Sequence, residues 1–311
     1  MKKLEVKHLI GLENTPSSDI ENIIDTGFLF REVLERPIKK VPTLKGKNIV
    51  NLFFENSTRT KLSFELAEKR LSADVTNFSS SSSSVKKGES LRDTIQNIHA
   101  MKMDCVVMRH PVPGSALQLT NYVDAVIVNA GDGPHEHPTQ ALLDMMSIKE
   151  KFGKIKGLNI GIVGDILHSR VALSNILGLV KLGANVKVCG PPHLIQKDIE
   201  SLGISKTYNI DDLIEWADVV NVLRIQRERM GIGIIPSIRE YRKFFGLTDE
   251  RLKKHKKEIV IMHPGPINRG VEIDTVIADS DQAIILDQVL NGVAIRMSIL
   301  YLLLGKEDFG K

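Results

Sequence analysis

The chain has 311 residues, a length that corresponds to about two domains of ordinary size. Its hydrophobic fraction of 42% and charged fraction of 26% are those of a globular protein, and its net charge of +4 is a mild excess. Aromatic residues make up only 5% of the chain, which argues against a stacking platform for single-stranded nucleic acid, whereas a modest positive balance suits anionic small molecules.

The remaining bulk features indicate a soluble protein of a reduced compartment. The densest cationic run, RLKKHKK at 251–257, is interrupted by an apolar residue and a histidine, and we interpret it as a solvated helix end rather than a nucleic-acid patch. The two cysteines, Cys105 and Cys189, lie in apolar runs and are expected to be buried free thiols. Because the N-terminal residues lack an apolar core and no 18-residue apolar run occurs, we expect a cytoplasmic protein without a membrane partner.

Short β-branched runs alternate with longer helical patterns along the chain. The predicted strands cover residues 48–54, 74–78, 104–110, 125–130, 159–165, 185–190, 218–224, 258–263 and 282–287. The clearest helical patterns cover residues 61–71, 141–152, 170–183 and 291–305. Strands separated by helices indicate βα units, and nearly continuous apolar runs indicate strands covered on both faces. We therefore predict an α/β protein with two Rossmann-like domains, each with a central parallel sheet flanked by helices.

The strand series restarts after residues 151–158, KFGKIKGL, which are rich in lysine and glycine. We place the boundary there and predict a first domain at 1–150 and a second at 151–288. The C-terminal helix, about 289–311, is assigned to the first domain, although periodicity alone does not show this. The serine tract at 79–84 has low complexity and stands between a strand and a helix, so we interpret it as a functional loop rather than a linker.

The segment FENSTRTK, residues 54–61, places hydroxyls and cations at the junction of a strand and a helix. Ser57 or Thr58 can cap this helix, whose first N–H groups have no acceptor within it. The helix dipole and the planar fork of Arg59 add to these donors and favour phosphate oxygens. The alternative is a plain capped helix with a surface arginine.

A second loop-to-helix junction, GDGPHEHPTQALLD, carries His135, His137 and Gln140. The His-x-His spacing permits a metal site, but no Asp, Glu or Cys ligand is placed obviously nearby. Hydrogen-bond donation to a substrate is the better interpretation, and a histidine satisfied within its own loop is the alternative.

The segment GIVGDILHSR resembles a dinucleotide fingerprint with the wrong spacing. Gly161 and Gly164 are followed by Asp165, without a third glycine at the expected place. We interpret it as a Rossmann-like strand, turn and helix without a nucleotide. Arg170, near the start of that helix, can hold a carboxylate.

Three more predicted strands end in segments suited to ligands. LRIQRER carries Arg224, Gln226 and two further arginines, which favour a dianion, although a charged surface turn is the alternative. HPGPINRG is stiffened by two prolines, and Gly265 allows a ligand to approach the backbone closely. MRHP sets Arg109 at the end of its strand.

Together and in this order, these motifs resemble the catalytic chains of aspartate carbamoyltransferases. The resemblance rests on FFENSTRTKLSFE, SSSSVKKGES, MRHP, HPTQALLD, GDILHSRVALSN, LRIQRER and HPGPINRG, and extends from about residue 4 to residue 304. STRT and HPTQ are shared by all carbamoyltransferases, whereas the lysine loop, LRIQRER and HPGP indicate aspartate. Ornithine carbamoyltransferases instead carry an HCLP-like segment and an SMG loop, and this sequence has neither.

The resemblance implies a role for each matched position. The residues expected at carbamoyl phosphate are Ser57, Thr58, Arg59, Thr60, Arg109, His137, Gln140, Gly265 and Pro266. Of these, Arg59, Thr60, Arg109 and His137 are expected to be catalytic. The residues expected at aspartate are Lys87, Arg170, Arg224 and Gln226. Ser83 and Lys87 are expected to reach the active site of a neighbouring subunit.

The resemblance further implies a homotrimer with shared sites that transfers the carbamoyl group of carbamoyl phosphate to L-aspartate. No metal or organic cofactor is expected. Members of the family occur as free trimers, with regulatory chains or with a dihydroorotase-like partner, and the sequence does not choose among these. The alternatives are an ornithine carbamoyltransferase, a Rossmann-type nucleotide-binding protein and an inactive relative.

Overall fold

The computed structural model describes residues 2–79, 90–225, 237–255 and 258–305. The chain divides into two compact units, one formed by Met1–Met146 and Leu290–Lys311 and the other by Ser147–Val289. The chain thus passes between units twice, beside the positions 150 and 289 at which the domain boundaries were predicted. Each unit contains one parallel sheet with helices beside it.

The sheet of the first unit has four parallel strands in the order β2-β1-β3-β4. They are β1 (Asn48–Phe53), β2 (Asp74–Ser79), β3 (Cys105–His110) and β4 (Val126–Asp132). Leu52, Met108 and Ile127 from three of these strands are buried in one apolar cluster with residues of the neighbouring helices. Burial on both faces explains why β1 and β3 appear in the sequence as continuous apolar runs.

Five α-helices begin among the described residues of the first unit, and a side chain caps one of them. They are α1 (Ser17–Glu35), α2 (Thr58–Arg70), α3 (Leu91–Ala100), α4 (Ser115–Leu119) and α5 (Pro138–Phe152). The hydroxyl of Ser90 accepts a hydrogen bond from Asp93 N at the start of α3, which satisfies one of the helix's free donors.

The sheet of the second unit has five parallel strands in the order β7-β6-β5-β8-β9. They are β5 (Asn159–Val163), β6 (Asn185–Cys189), β7 (Ser205–Thr207), β8 (Val219–Val222) and β9 (Val260–Met262). The helices that follow are α6 (Arg170–Lys181), α7 (Ile210–Trp216), α8 (Ile238–Phe245), α9 (Asp249–Lys254), α10 (Thr275–Ala278) and α11 (Ile285–Leu304). The predicted α/β class with two parallel sheets is confirmed.

One predicted strand was wrong. Residues 282–287 form a single bridge between Ala283 and Ile261, and α11 begins directly afterwards at Ile285. The apolar run QAIILD is short enough to suit a strand or a buried helix start, and periodicity does not distinguish the two. The edge strand β7 was not predicted, because its residues, SKT, are polar and only half-buried or exposed.

Helix α11 is the one helix of the described residues that is long and apolar enough to cross a membrane. In the structure 67% of its most apolar 18-residue window is buried within the protein, as in the core helix of a globular domain. Arg296 and Asn291 interrupt its apolar surface and are themselves buried. Both cysteines are buried free thiols as predicted, and burial raises the pKa of Cys189 to about 12.

Candidate active site

The order of the strands defines one position in each sheet where ligands bind in α/β proteins. In the first sheet β1 has β2 on one side and β3 on the other, so the segments that follow β1 and β3 leave in different directions. The predicted phosphate residues of FENSTRTK follow β1, and Arg109 lies at the end of β3, paired with Phe53 in the register. The strand order therefore places both segments at the switch point of the first sheet.

At the beginning of α2, Ser57 is the N-cap residue and has an extended backbone. Its side chain makes no capping hydrogen bond, contrary to the sequence prediction, and its hydroxyl donates to Thr60 Oγ1 over 2.9 Å instead. Thr60 is buried, whereas Thr58 and Arg59 on the same turn are exposed. This leaves hydroxyl groups and a guanidinium around the positive end of α2, where an anion is favoured.

Arg109 lies beside a carboxylate that the sequence analysis did not single out. Its side chain is held by Nη1, which donates to Ala130 O over 3.2 Å, and its Nε lies 3.3 Å from Glu55 Oε2. Arg109 is only 9% exposed, so both the attraction within this charge pair and the cost of its desolvation are larger than for a surface pair. Glu55 belongs to FENSTRTK. Its position directly after the apolar run at 48–54 is the sequence signal that could have indicated a site residue.

His137 immediately precedes α5, whose first residue is Pro138. Proline is favoured at this position because its fixed φ suits a helix and no N–H is needed there. The buried His137 carbonyl accepts the amide hydrogens of Gln140 and Ala141, over 3.0 and 3.3 Å. The Gln140 side chain donates to Asp144 Oδ1 over 2.9 Å. His137 and Gln140 therefore lie together on the first turn of α5, as predicted from the motif.

The loop before His137 is fixed by two buried carboxylates. Asp132 accepts from Asn129 Nδ2 and from Glu136 N, over 2.9 and 3.1 Å, and His135 contacts the same carboxylate at 3.2 Å. His135 therefore has a partner within its own loop, which is the alternative that the sequence left open for the histidines. Among the described residues, no group of three or more His, Cys, Asp or Glu side chains is arranged to hold a metal ion.

Glu136 joins this loop to the N-terminal segment. Its buried carboxylate accepts from Leu12 N over 2.8 and 3.0 Å and from Glu13 N over 3.3 Å. A Cβ atom on Gly11 would lie 2.2 Å from the Glu136 carboxylate oxygen, so any other residue at this position would displace the carboxylate. The residue next to His137 is thus held by backbone donors more than a hundred positions earlier in the chain.

Arg296 of α11 contacts both helices that begin at the predicted phosphate site. Its guanidinium donates to Ser63 Oγ of α2 over 2.9 Å and to Thr139 Oγ1 of α5 over 3.4 Å. It also lies over the Phe64 ring, 4.9 Å from the centroid. Burial lowers the pKa of Arg296 to about 10, an effect that the charge of Asp144 opposes, so the side chain remains a cation at neutral pH.

Glu68 of α2 is a second buried ionisable group in this unit. Its carboxylate accepts from Asn51 Nδ2 of β1 over 2.8 Å and is fully buried. Burial raises the pKa of Glu68 to about 8, despite the opposing hydrogen bond from Asn51. Glu68 is therefore largely uncharged at neutral pH, two turns from Thr60.

In the second unit the predicted aspartate residues follow the two strands at its switch point. Strand β5 has β6 on one side and β8 on the other. Arg170, which is buried, is the first residue of α6 after β5, and the hydroxyl of Ser169 caps this helix by accepting from Ala172 N over 3.2 Å. Arg224 follows β8 and is half-buried. Both arginines thus lie at the carboxyl edge of this sheet.

The HPGP segment follows β9 at the same edge. Gly265 has φ of +58°, a left-handed conformation that side chains with a Cβ rarely adopt, and a cis peptide bond joins it to Pro266. Gly265 N donates to His263 Nδ1 over 2.7 Å. Ser83, Lys87 and Gln226 lie outside the described residues, so their predicted roles remain predictions.

Comparison with known proteins identifies the class to which this arrangement belongs. The model of the aspartate/ornithine carbamoyltransferase carbamoyl-P binding domain matches residues 7–150, and that of the Asp/Orn binding domain of the same family matches residues 156–303. Two parallel sheets with cationic residues at both switch points are thus those of a carbamoyltransferase. The chain belongs to the aspartate/ornithine carbamoyltransferase family.

Similar proteins narrow this class. The aspartate carbamoyltransferase catalytic subunit of Christiangramia forsetii is 63% identical over 304 residues, which cover 98% of each chain. That of Flavobacterium johnsoniae is 60% identical over 306 residues, covering 98% of this chain and 99% of the relative. The crystal structure of aspartate transcarbamoylase from Trypanosoma cruzi in complex with carbamoyl aspartate and phosphate has a TM-score of 0.88 at 30% identity, with 97% of each chain covered.

Proposed function

We propose that this chain is the catalytic chain of an aspartate carbamoyltransferase. It transfers the carbamoyl group of carbamoyl phosphate to the α-amine of L-aspartate, giving N-carbamoyl-L-aspartate and phosphate for pyrimidine biosynthesis. The observation that carries this proposal is the 63% identity to an aspartate carbamoyltransferase catalytic subunit over 98% of both chains. The Trypanosoma cruzi structure supports it, because its two ligands are the two products of this reaction.

In the first unit, we assign the phosphate of carbamoyl phosphate to the start of α2. Ser57, Thr58 and Thr60 supply hydroxyls, Arg59 supplies a guanidinium, and the helix end supplies backbone donors. Arg109, His137 and Gln140 complete this site. The burial of Arg109 and His137 supports the assignment, because hydrogen bonds to a developing charge are stronger where water is excluded.

The reaction needs charge stabilisation more than a dedicated base. The neutral α-amine of aspartate attacks the carbamoyl carbon, and the carbonyl oxygen gains negative charge in the tetrahedral state. Thr60, Arg109 and His137 donate to that oxygen, and each such donor contributes about 3 to 4 kcal/mol to lowering the barrier. The bond from the carbamoyl carbon to the phosphate oxygen then breaks, and the departing phosphate takes the amine proton.

In the second unit, we assign the aspartate carboxylates to Arg170 and Arg224, with Gln226 beside them. A guanidinium binds a carboxylate through two parallel hydrogen bonds, and the two arginines match the two carboxylates of the acceptor. Gly265 and Pro266 offer backbone groups to the carbamoyl amide. The cationic strand end at Arg224 disfavours ornithine, which has one carboxylate and a cationic side chain.

The assembly is part of the proposal. We assign a cytoplasmic homotrimer in which Ser83 and Lys87 of one subunit complete the site of the next, with a regulatory chain or a dihydroorotase-like protein as a further partner. Light scattering of the purified chain, alone and with candidate partners, tests this assignment. A monomer that is fully active would contradict it.

A direct assay tests the reaction. The purified chain is incubated with carbamoyl phosphate and either aspartate or ornithine, and phosphate and ureido product are measured. We expect both products with aspartate and neither above background with ornithine. Activity with ornithine alone, or with neither acceptor, would refute the proposed function.

A further inference from the structure

A buried histidine fixes the backbone of the HPGP segment. His263, which follows β9, is only 2% exposed, and its Nδ1 accepts from Gly265 N over 2.7 Å. Because Nδ1 is an acceptor, the ring proton must be on Nε2, which lies 3.2 Å from Glu272 Oε1. His263 is therefore a neutral imidazole that donates a hydrogen bond to a buried carboxylate.

The carboxylate of Glu272 receives two more hydrogen bonds. Asn268 donates to it twice, from its backbone N over 2.6 Å and from its side-chain Nδ2 over 3.2 Å. A fully buried carboxylate needs several donors to offset its desolvation, and Glu272 has them. Asn268 Nδ2 also donates to Ile225 O over 3.2 Å, next to Arg224.

We propose that His263, Glu272 and Asn268 form a positioning network that fixes the Gly265 backbone and the Arg224 strand end relative to each other. The inference rests on the proposed function, in which Gly265 faces the carbamoyl group and Arg224 binds aspartate. None of the three side chains touches substrate in this assignment. They act through the residues that do.

The physical reason is that the Gly265 backbone and the backbone next to Arg224 are positioned by the hydrogen bonds that reach them. Gly265 has the backbone freedom of glycine, so the hydrogen bond to His263 supplies the restraint that a side chain would otherwise give. Misplacement of a substrate-binding group by about 1 Å can cost about a hundredfold in rate. The network therefore affects catalysis as well as folding.

Two substitutions of His263 separate these effects. The side-chain oxygen of His263→Asn replaces Nδ1 as the acceptor for Gly265 N but cannot reach Glu272, whereas the side-chain amide of His263→Gln replaces Nε2 as the donor to Glu272 and leaves Gly265 N without its acceptor. We expect the Gln variant to unfold at the higher temperature but to have the lower kcat/KM for carbamoyl phosphate, by about tenfold relative to the Asn variant. Kinetic constants that follow the order of thermal stability, or that are equal in the two variants, would overturn the inference.

A third variant tests the other end of the network. Asn268→Ser removes the side-chain donor to Ile225 O and to Glu272, but it keeps the backbone N–H that donates to Glu272. We expect the KM for aspartate to rise about fivefold or more, with a smaller change in the KM for carbamoyl phosphate. If the wild-type chain is active, an unchanged KM for aspartate in Asn268→Ser would contradict the inference. A wild-type chain without aspartate carbamoyltransferase activity would instead overturn the proposed function, and the inference with it.

Discussion

The guanidinium of Arg296 donates to the hydroxyl of Ser63 over 2.9 Å, and so joins α11 to the helix that begins at the proposed phosphate site. The same guanidinium reaches Thr139 on α5, the residue next to Gln140. One buried cation thus contacts two helices near their starts. Ser63 and Thr139 are 233 and 157 positions away from Arg296 in the chain.

Replacement of Arg296 should therefore affect both stability and binding. We expect Arg296→Met to lower the free energy of unfolding by about 2 to 4 kcal/mol, because Ser63 and Asp144 lose a buried partner. The KM for carbamoyl phosphate should rise in the folded protein. Urea unfolding and steady-state kinetics measure the two effects. Lys69→Ala, which breaks an exposed pair with Glu65 on α2, is the control and should change stability by less than about 1 kcal/mol.

The hydroxyl of Thr60 is expected to act in the reaction itself. Thr60→Val keeps the shape of the side chain and removes the hydroxyl, and we expect kcat to fall by about 10² to 10³. Thr60→Ser keeps the hydroxyl and should lose less than about tenfold. Initial rates at saturating substrates measure the difference. Equal losses in the two variants would show that the methyl group, and not the hydroxyl, matters.

Arg170 offers a test of the aspartate assignment. Arg170→Lys keeps the charge but loses the planar fork, so we expect the KM for aspartate to rise about tenfold or more, with the KM for carbamoyl phosphate within about threefold of wild type. Arg269→Lys, on a surface pair with Asp279, is the control and should change neither constant. A larger effect on carbamoyl phosphate than on aspartate would contradict the assignment.

Glu68 should make stability depend on pH. Its pKa is about 8 in the folded chain and about 4.3 in an unfolded one, so the folded state holds the proton more tightly. The stability that comes from the protonated group is complete below pH 4.3 and is lost as pH rises towards 8, by up to about 1.4 kcal/mol per pH unit. Glu68→Gln cannot titrate and should lose less stability than wild type between pH 5 and pH 9.

Urea unfolding at one protein concentration, repeated across this pH range, measures the difference between wild type and Glu68→Gln. The control is Glu65→Gln on the same helix. The hydrogen bond and charge of Lys69 lower the pKa of Glu65, so Glu65 stays ionised throughout the range. Its replacement should change the pH dependence only slightly, through loss of the repulsion by which its charge helps to raise the pKa of Glu68. Parallel curves for wild type and Glu68→Gln would refute the prediction.

The sequence indicated ligand residues wherever strands end, because parallel strands bring their carboxyl ends to one edge. Arg109, Arg170 and Arg224 could be proposed for this reason without knowledge of any contact. Residues that act through distant partners could not be found in this way. Leu12 and Glu136, which bond in the fold, are 124 positions apart, and nothing in the local pattern around either one indicates the other.

Motif boundaries were predicted less well where one local pattern suits two structures. The run QAIILD was predicted as a strand. In the structure Ala283 makes a single bridge to β9, and α11 starts at Ile285. The pattern of Ser57 suits a capping side chain, yet its hydroxyl bonds to Thr60. In neither case does the local sequence pattern distinguish the two structures.

The bond between Glu136 and the backbone of Leu12 has a practical consequence for shortened versions of this protein. Removing the first fifteen residues would look harmless, since residues 2–15, the part of this segment that the structure describes, contain neither a helix nor a strand. It would also remove the backbone N–H groups of Leu12 and Glu13, which donate to the buried carboxylate of Glu136 next to His137. A version trimmed in this way should lose activity through the loop that carries His137, so a purification tag belongs in front of these residues and not in their place.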